Sequence, residues 1–115
     1  MLNQIVLVGR VVKDLDVKTL EDGKKVSDLI LAIQRPFKNY SGQYDTDFVK
    51  ISLWDQLAAL AQNYCKKGNM VAVKGRVQVR KIENEEEKTS FLEVIGERVS
   101  YLTSSKKEFD EKTQE

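Results

Sequence analysis

The sequence predicts an all-β fold, a small five-stranded barrel that carries one helix between its third and fourth strands. Three observations predict it. Short runs rich in β-branched residues alternate with polar connectors along the chain, one stretch near the middle has helical spacing, and no internal repeat interrupts the series. At 115 residues the chain makes one domain at most, and burying roughly two-thirds of its unfolded surface gives that domain one modest core.

Residues 4–12 form the first strand, and the connector 13–24 carries Asp14 and Asp16 before the turn pair Asp22-Gly23. The second strand covers 26–35 and is expected to stop at Pro36, which has no N–H to give to a ladder. After a connector holding Tyr40, Ser41-Gly42 and Tyr44, residues 47–54 alternate with period two as the third strand. Asp55 then stands where a helix N-cap belongs, and Leu57, Leu60, Ala61 and Tyr64 recur at spacings of three and four. Lys66 and Lys67 fall in the expected last turn, and Gly68 supplies the left-handed residue that ends it. Strands at 70–81 and 89–102 flank a polar loop, Glu85-Glu86-Glu87, which is read as solvated and repels phosphate locally. Three strands, a helix and two strands is the order of the OB architecture. Residues 1–102 are therefore expected to form an OB-fold barrel and 103–115, polar and charged, a short disordered tail.

Composition excludes more than it names. Lys+Arg 19 against Asp+Glu 18 gives a net charge of +1, so bulk charge points to no partner. The chain has no histidine, the commonest general base and metal ligand, and its one cysteine, Cys65, excludes an internal disulfide or a multi-cysteine zinc site. The six glycines form no nucleotide-binding fingerprint. Neither catalysis, a metal nor a cofactor is expected. No segment approaches the roughly 18 apolar residues of a membrane span, and none has the pattern of a targeting signal, so a cytoplasmic protein is expected. Cys65 itself is read as a small buried apolar residue.

Alternation sorts the faces. In the third strand Val49, Ile51 and Leu53 point to one side, and Phe48, Lys50, Ser52 and Trp54 to the other. A buried face does not readily hold Lys50, so Phe48 and Trp54 are expected at a surface. In the fourth strand Val71, Val73, Val77 and Val79 share a side, opposite Lys74, Arg76, Gln78 and Arg80. Those cations form a basic stripe about 20 Å long. Unstacked bases need π-faces and the phosphates beside them need cations, so the pattern favours a single nucleic-acid strand. The same aromatics also suit a core or a subunit interface, the stripe suits a solvated face, and Phe37 could simply close a barrel end.

The segments Asn3 to Arg10, Leu31-Ala32 leading to Phe37, Phe48 to Trp54, Tyr64 to Gly68 and Val73 to Arg76 together resemble the bacterial single-stranded DNA-binding protein family over residues 2–102. The resemblance implies an OB fold, usually a homotetramer, that coats single-stranded DNA in replication, repair and recombination without sequence preference. It places base-stacking aromatics at Phe37, Phe48 and Trp54, and phosphate contacts at Lys50, Lys67, Arg80 and Lys81. The strand pattern adds Arg10, Arg35, Lys74 and Arg76. Three features depart from the family: Ile82 where an aromatic is common, Asp14-Leu15-Asp16 where an Asp-Pro pair is common, and a short tail without the usual acidic Pro-Phe tip. Docking of partner proteins through that tail is expected to be lost or altered, as in an accessory member, with DNA uptake one setting for it. The competing reading is an OB subunit of a primosome-like assembly, whose sheet meets protein and whose nucleic-acid binding is weak and electrostatic.

Overall fold

The computed structural model describes residues 1–103. Its elements run β1 (Ile5–Val11), β2 (Lys18–Thr19), β3 (Lys25–Lys38), β4 (Tyr44–Trp54), α1 (Asp55–Tyr64), β5 (Met70–Glu83) and β6 (Lys88–Thr103). The expected tail, from residue 104 onward, lies outside the described residues. Strand β1 pairs antiparallel with β5, β5 with β6, and β3 with β4, while a two-residue parallel contact, Ile51↔Val94 and Ser52↔Ile95, joins β4 to β6. Pairing of Arg10 with Ala32 and Val11 with Leu31 returns β3 to β1 and closes a five-stranded OB barrel. At this closure the strands cross so tightly that a Cβ on Gly9 would lie 2.8 Å from the Ala32 carbonyl oxygen.

The core is the set that alternation selects. Leu29, Leu31, Ile51, Leu53, Val71 and Val73 are fully buried, with Val11 beside them. Each stabilises the fold by about 1.5–3 kcal/mol through burial. Strand β5 leaves the barrel after Gly75, its last pairing with β1, and from there pairs with β6 alone. Val77 is accordingly half-buried and Val79 exposed, although they share the core side of the strand.

Four local expectations are corrected. Strand β3 does not end at Pro36: it continues to Lys38 by slipping register, so that Gln34↔Thr46 is followed by Lys38↔Tyr44. The looped-out residues absorb the missing N–H. The connector before β3 contributes the short strand β2, paired through Lys18↔Val26 and Thr19↔Lys25. Asp55 does not cap α1. Trp54 is the N-cap, Asp55 takes φ 52°, and its carboxylate accepts from the Lys25 N–H at 3.1 Å, tying the helix to the start of β3. Finally, α1 ends at Tyr64, so Lys66 and Lys67 lie beyond it. Gly68 (φ 91°) serves the following turn, donating to the Val11 carbonyl at 2.8 Å.

The buried face of α1 is Ala58 and Ala61, with Cys65 just after it, while Leu60 and Tyr64 are exposed. Small residues win because the helix lies close against β3, β4 and β6. Burial pushes the Cys65 thiol up to about 11, partly offset by its hydrogen bond with Tyr101. A thiol raised from about 9 to about 11 has roughly a hundredfold less thiolate at pH 8. Native protein should therefore react with a disulfide reagent more than about a hundredfold slower than unfolded protein; equal rates would contradict the burial.

Candidate nucleic-acid interface

The outward side chains of β4 are Phe48, Lys50, Ser52 and Trp54. Phe48 is 68% exposed and Lys50 exposed, whereas Ser52 is buried beneath its neighbours and Trp54 half-buried. Trp54 sits at the junction of β4 and α1, opposite Val26 of β3, with an extended backbone. Strand β6 runs alongside, and β5 beyond it aligns Arg80 with Phe91 and Gln78 with Glu93. These three strands frame an open groove of about 600 Å³, lined by Phe48, Lys50, Ser52 and Trp54 on one side and Arg80, Phe91 and Glu93 on the other. Leu20, Val26 and Asp28 complete one wall. Aromatic faces and cations thus meet in one groove, which can hold a flat apolar ring and an anion together.

The remaining candidates are spread around this groove. Ile82 follows Arg80 on the same side of β5, opposite Thr89 and 47% exposed. Lys81 turns to the other side of that hairpin, near Glu83 and Lys88. Phe37 is exposed in the arm formed by β3 and β4, whose tip also exposes Tyr40 and Tyr44. Lys74 lies opposite Val6, back along β5 toward the barrel. Lys67 belongs to the turn after α1, where its N–H donates to Asp14 at 2.8 Å. Arg10 donates from its guanidinium to the Gly68 carbonyl at 3.0 Å.

Charge pairing divides these cations. Arg35 donates to both carboxylate oxygens of Asp47, at 3.0 and 2.9 Å, and lies 3.7 Å from Asp45. The hydrogen bond from Arg35 holds the Asp47 carboxyl below its ordinary value, and the same bond raises Arg35. Arg76 lies 3.9 Å from Glu97 and Arg80 lies 3.5 Å from Glu93. Among the described residues, Lys50, Lys67, Lys74 and Lys81 have no ion pair.

Sequence reasoning missed Phe91, Glu93 and Asp28. Residues 91–95 are apolar on both sides except for Glu93, so period two marks no outer face there. The register with β5 does: Phe91 must share a side with Arg80.

An OB barrel with aromatics and cations gathered over one sheet face has the architecture on which such barrels receive oligonucleotides. The chain matches the single-strand binding protein family over residues 2–102 and belongs to that family. It is 39% identical to the single-stranded DNA-binding protein B of Bacillus subtilis, over 94% of this chain and 96% of that protein. With the single-stranded DNA-binding protein of Oceanobacillus iheyensis it shares 40% identity, over 89% of this chain but only 64% of that one. Among solved structures, a complex of the Plasmodium falciparum protein with single-stranded DNA superimposes with TM-score 0.73 at 30% identity, covering 90% of this chain and 96% of that one. The Thermus aquaticus single-stranded DNA binding protein gives TM-score 0.74 at 29% identity, covering 90% of this chain and 52% of its own.

Proposed function

We propose that this chain binds and protects single-stranded DNA without reading its sequence, and that it is not an enzyme. The observation that carries this reading is the groove that sets Phe48, Trp54 and Phe91 beside Lys50 and Arg80. Bases stack on Trp54 and Phe48, with Phe37 extending the platform along the β3–β4 arm, because every base has a π-face and duplex bases are already stacked. Lys50 and Arg80 take phosphates at the groove, and Lys67, Lys74, Arg76, Lys81, Arg10 and Arg35 serve the strand along its further path. Residues 1–102 form the binding domain and 103–115 a charged tail. Replication, recombination, repair and DNA uptake in the cytoplasm are the settings in which such binding is used.

The same reading includes self-association, up to a tetramer. Residues Ile5–Val8 of β1 pair only with β5, so their other edge has no strand on it, and Val6 and Val8 are exposed beside it. An open apolar edge is a template for a second strand.

The test uses the single tryptophan. Titration with oligothymidine, unstructured RNA and duplex DNA, following Trp54 emission at low and high salt, should show strong quenching by oligothymidine that persists in salt and is absent with duplex. Equal binding to all three, erased by salt and without quenching, would instead favour the OB subunit that meets a protein partner.

A further inference from the structure

The Arg80–Glu93 pair differs from the other arginine–carboxylate pairs of the interface in its asymmetry. The Arg80 side chain is 53% exposed while that of Glu93 is only 10% exposed. Glu93 is held from two further directions: Ser52 Oγ donates to one carboxylate oxygen at 3.2 Å, and Gln78 Nε2 donates to the other at 3.3 Å. Ser52 stands between Lys50 and Trp54 on β4, so these bonds fix the carboxylate within the groove that the stacking side chains line. The anion is anchored and the guanidinium is half exposed to solvent.

We infer that Glu93 is a built-in competitor for phosphate, an internal anion that occupies Arg80 until a strand arrives and draws it back when the strand leaves. This rests on the single-strand reading above. Glu93 lies 3.5 Å from the Arg80 Nε, so a phosphate that engages this edge of the guanidinium must take it from Glu93, and the charge thereby exposed on Glu93 recruits a cation. The contact then gains little from counterion release, which supplies most phosphate affinity. The lysines, unpaired, provide attraction at a distance, whereas Arg80 provides a contact that is easily surrendered. A protein that coats a strand and must later yield it is served by such a contact, since affinity is tuned chiefly through dissociation.

The test is Glu93→Gln, which keeps the shape and removes the charge; its amide oxygen accepts from Gln78 and its amide N–H donates to Ser52 Oγ, so the bond to Ser52 reverses direction. Oligothymidine is the probe, because it forms no secondary structure that would compete with binding. At low salt the variant should bind about two- to tenfold more tightly than the unaltered protein and dissociate correspondingly more slowly. Its plot of log K against log salt should be steeper by about 0.7, the increment of one unmasked single-strand phosphate contact. In an Arg80→Gln background the same change should gain less than about twofold. A second measurement needs no altered carboxylate: the NMR signal of the Arg80 Nε–H, assigned by its loss in Arg80→Gln, should move when oligothymidine saturates the unaltered protein. Binding by Glu93→Gln that is equal or weaker, or an Arg80 signal that stays in place, overturns the inference and leaves the single-strand reading standing. Failure of the unaltered protein to bind oligothymidine overturns both.

Discussion

Replacing Trp54 and Phe48 together by alanine is expected to weaken single-strand binding by about 1–3 kcal/mol for each stacked base lost. For two bases that is at least about thirtyfold in Kd. The two positions differ in what else they do. Phe48 is 68% exposed and its removal leaves the barrel intact, so Phe48→Ala reads stacking almost alone. Trp54 is half-buried at the start of α1, and its truncation also takes some packing from the junction of strand and helix. Thermal melts of each variant separate that cost from the binding loss. Anisotropy of a labelled oligothymidine supplies the affinity. A folded double variant with unchanged Kd would remove Trp54 and Phe48 from the site.

The largest stability effect is expected at Gly75. Between Lys74↔Arg98 and Gly75↔Gly96 strand β6 carries one extra residue, Glu97, a bulge that turns the β5–β6 pair out of the barrel. There the backbones meet so closely that a Cβ on Gly75 would overlap the Ile95 carbonyl oxygen. A carbonyl cannot step aside as a side-chain end can. Gly75→Ala should therefore cost roughly 3 kcal/mol, a large share of the 5–15 kcal/mol that typically separates folded from unfolded. The melting temperature should fall by about 12–20 °C. Gly68→Ala is the control: its φ of 91° strains any other residue, but no atom lies within 4 Å of the added methyl. That change should cost only about 1–2 kcal/mol. Similar melting temperatures for the two variants would show that the bulge relaxes, and the steric argument at Gly75 would fall.

What could be read without coordinates was whatever repeats locally. Ile51 and Leu53 against Phe48 and Lys50, or Val71 and Val73 against Lys74, follow from period two, and the helix from its spacing of three and four. Errors arose where a distant contact overrules a local rule. Pro36 ends a regular ladder, yet β3 passes it because a bulge costs less than abandoning the arm. Asp55 has a good capping side chain, but the Lys25 N–H at the start of the neighbouring strand claims it. Leu60 and Tyr64 look more buried than Ala58, and the tight approach of the helix to the sheet reverses the order. The site followed the same division: Phe48, Lys50 and Trp54 were legible on one strand, whereas Phe91 and Glu93 emerged only from register between strands. Arg35 looked like a free cation because its partners, Asp45 and Asp47, sit on the strand facing it.

The departure of β5 and β6 from the barrel has a further consequence. From Arg76 to Glu83, β5 pairs with a strand on one edge only, the Asn3 side chain bonding the Val77 backbone on the other, and Val79, Ile82, Phe91 and Leu92 lie exposed along this ribbon. A lone two-stranded ribbon is marginal by itself. Its amides should exchange with solvent deuterium through local opening, at a small fraction of the free energy needed to expose Leu31 or Val73. Part of the candidate nucleic-acid interface thus belongs to a portion of the described residues that is less cooperative than the barrel. It can reshape itself around an irregular polymer while the barrel that anchors Phe48 and Trp54 keeps its form.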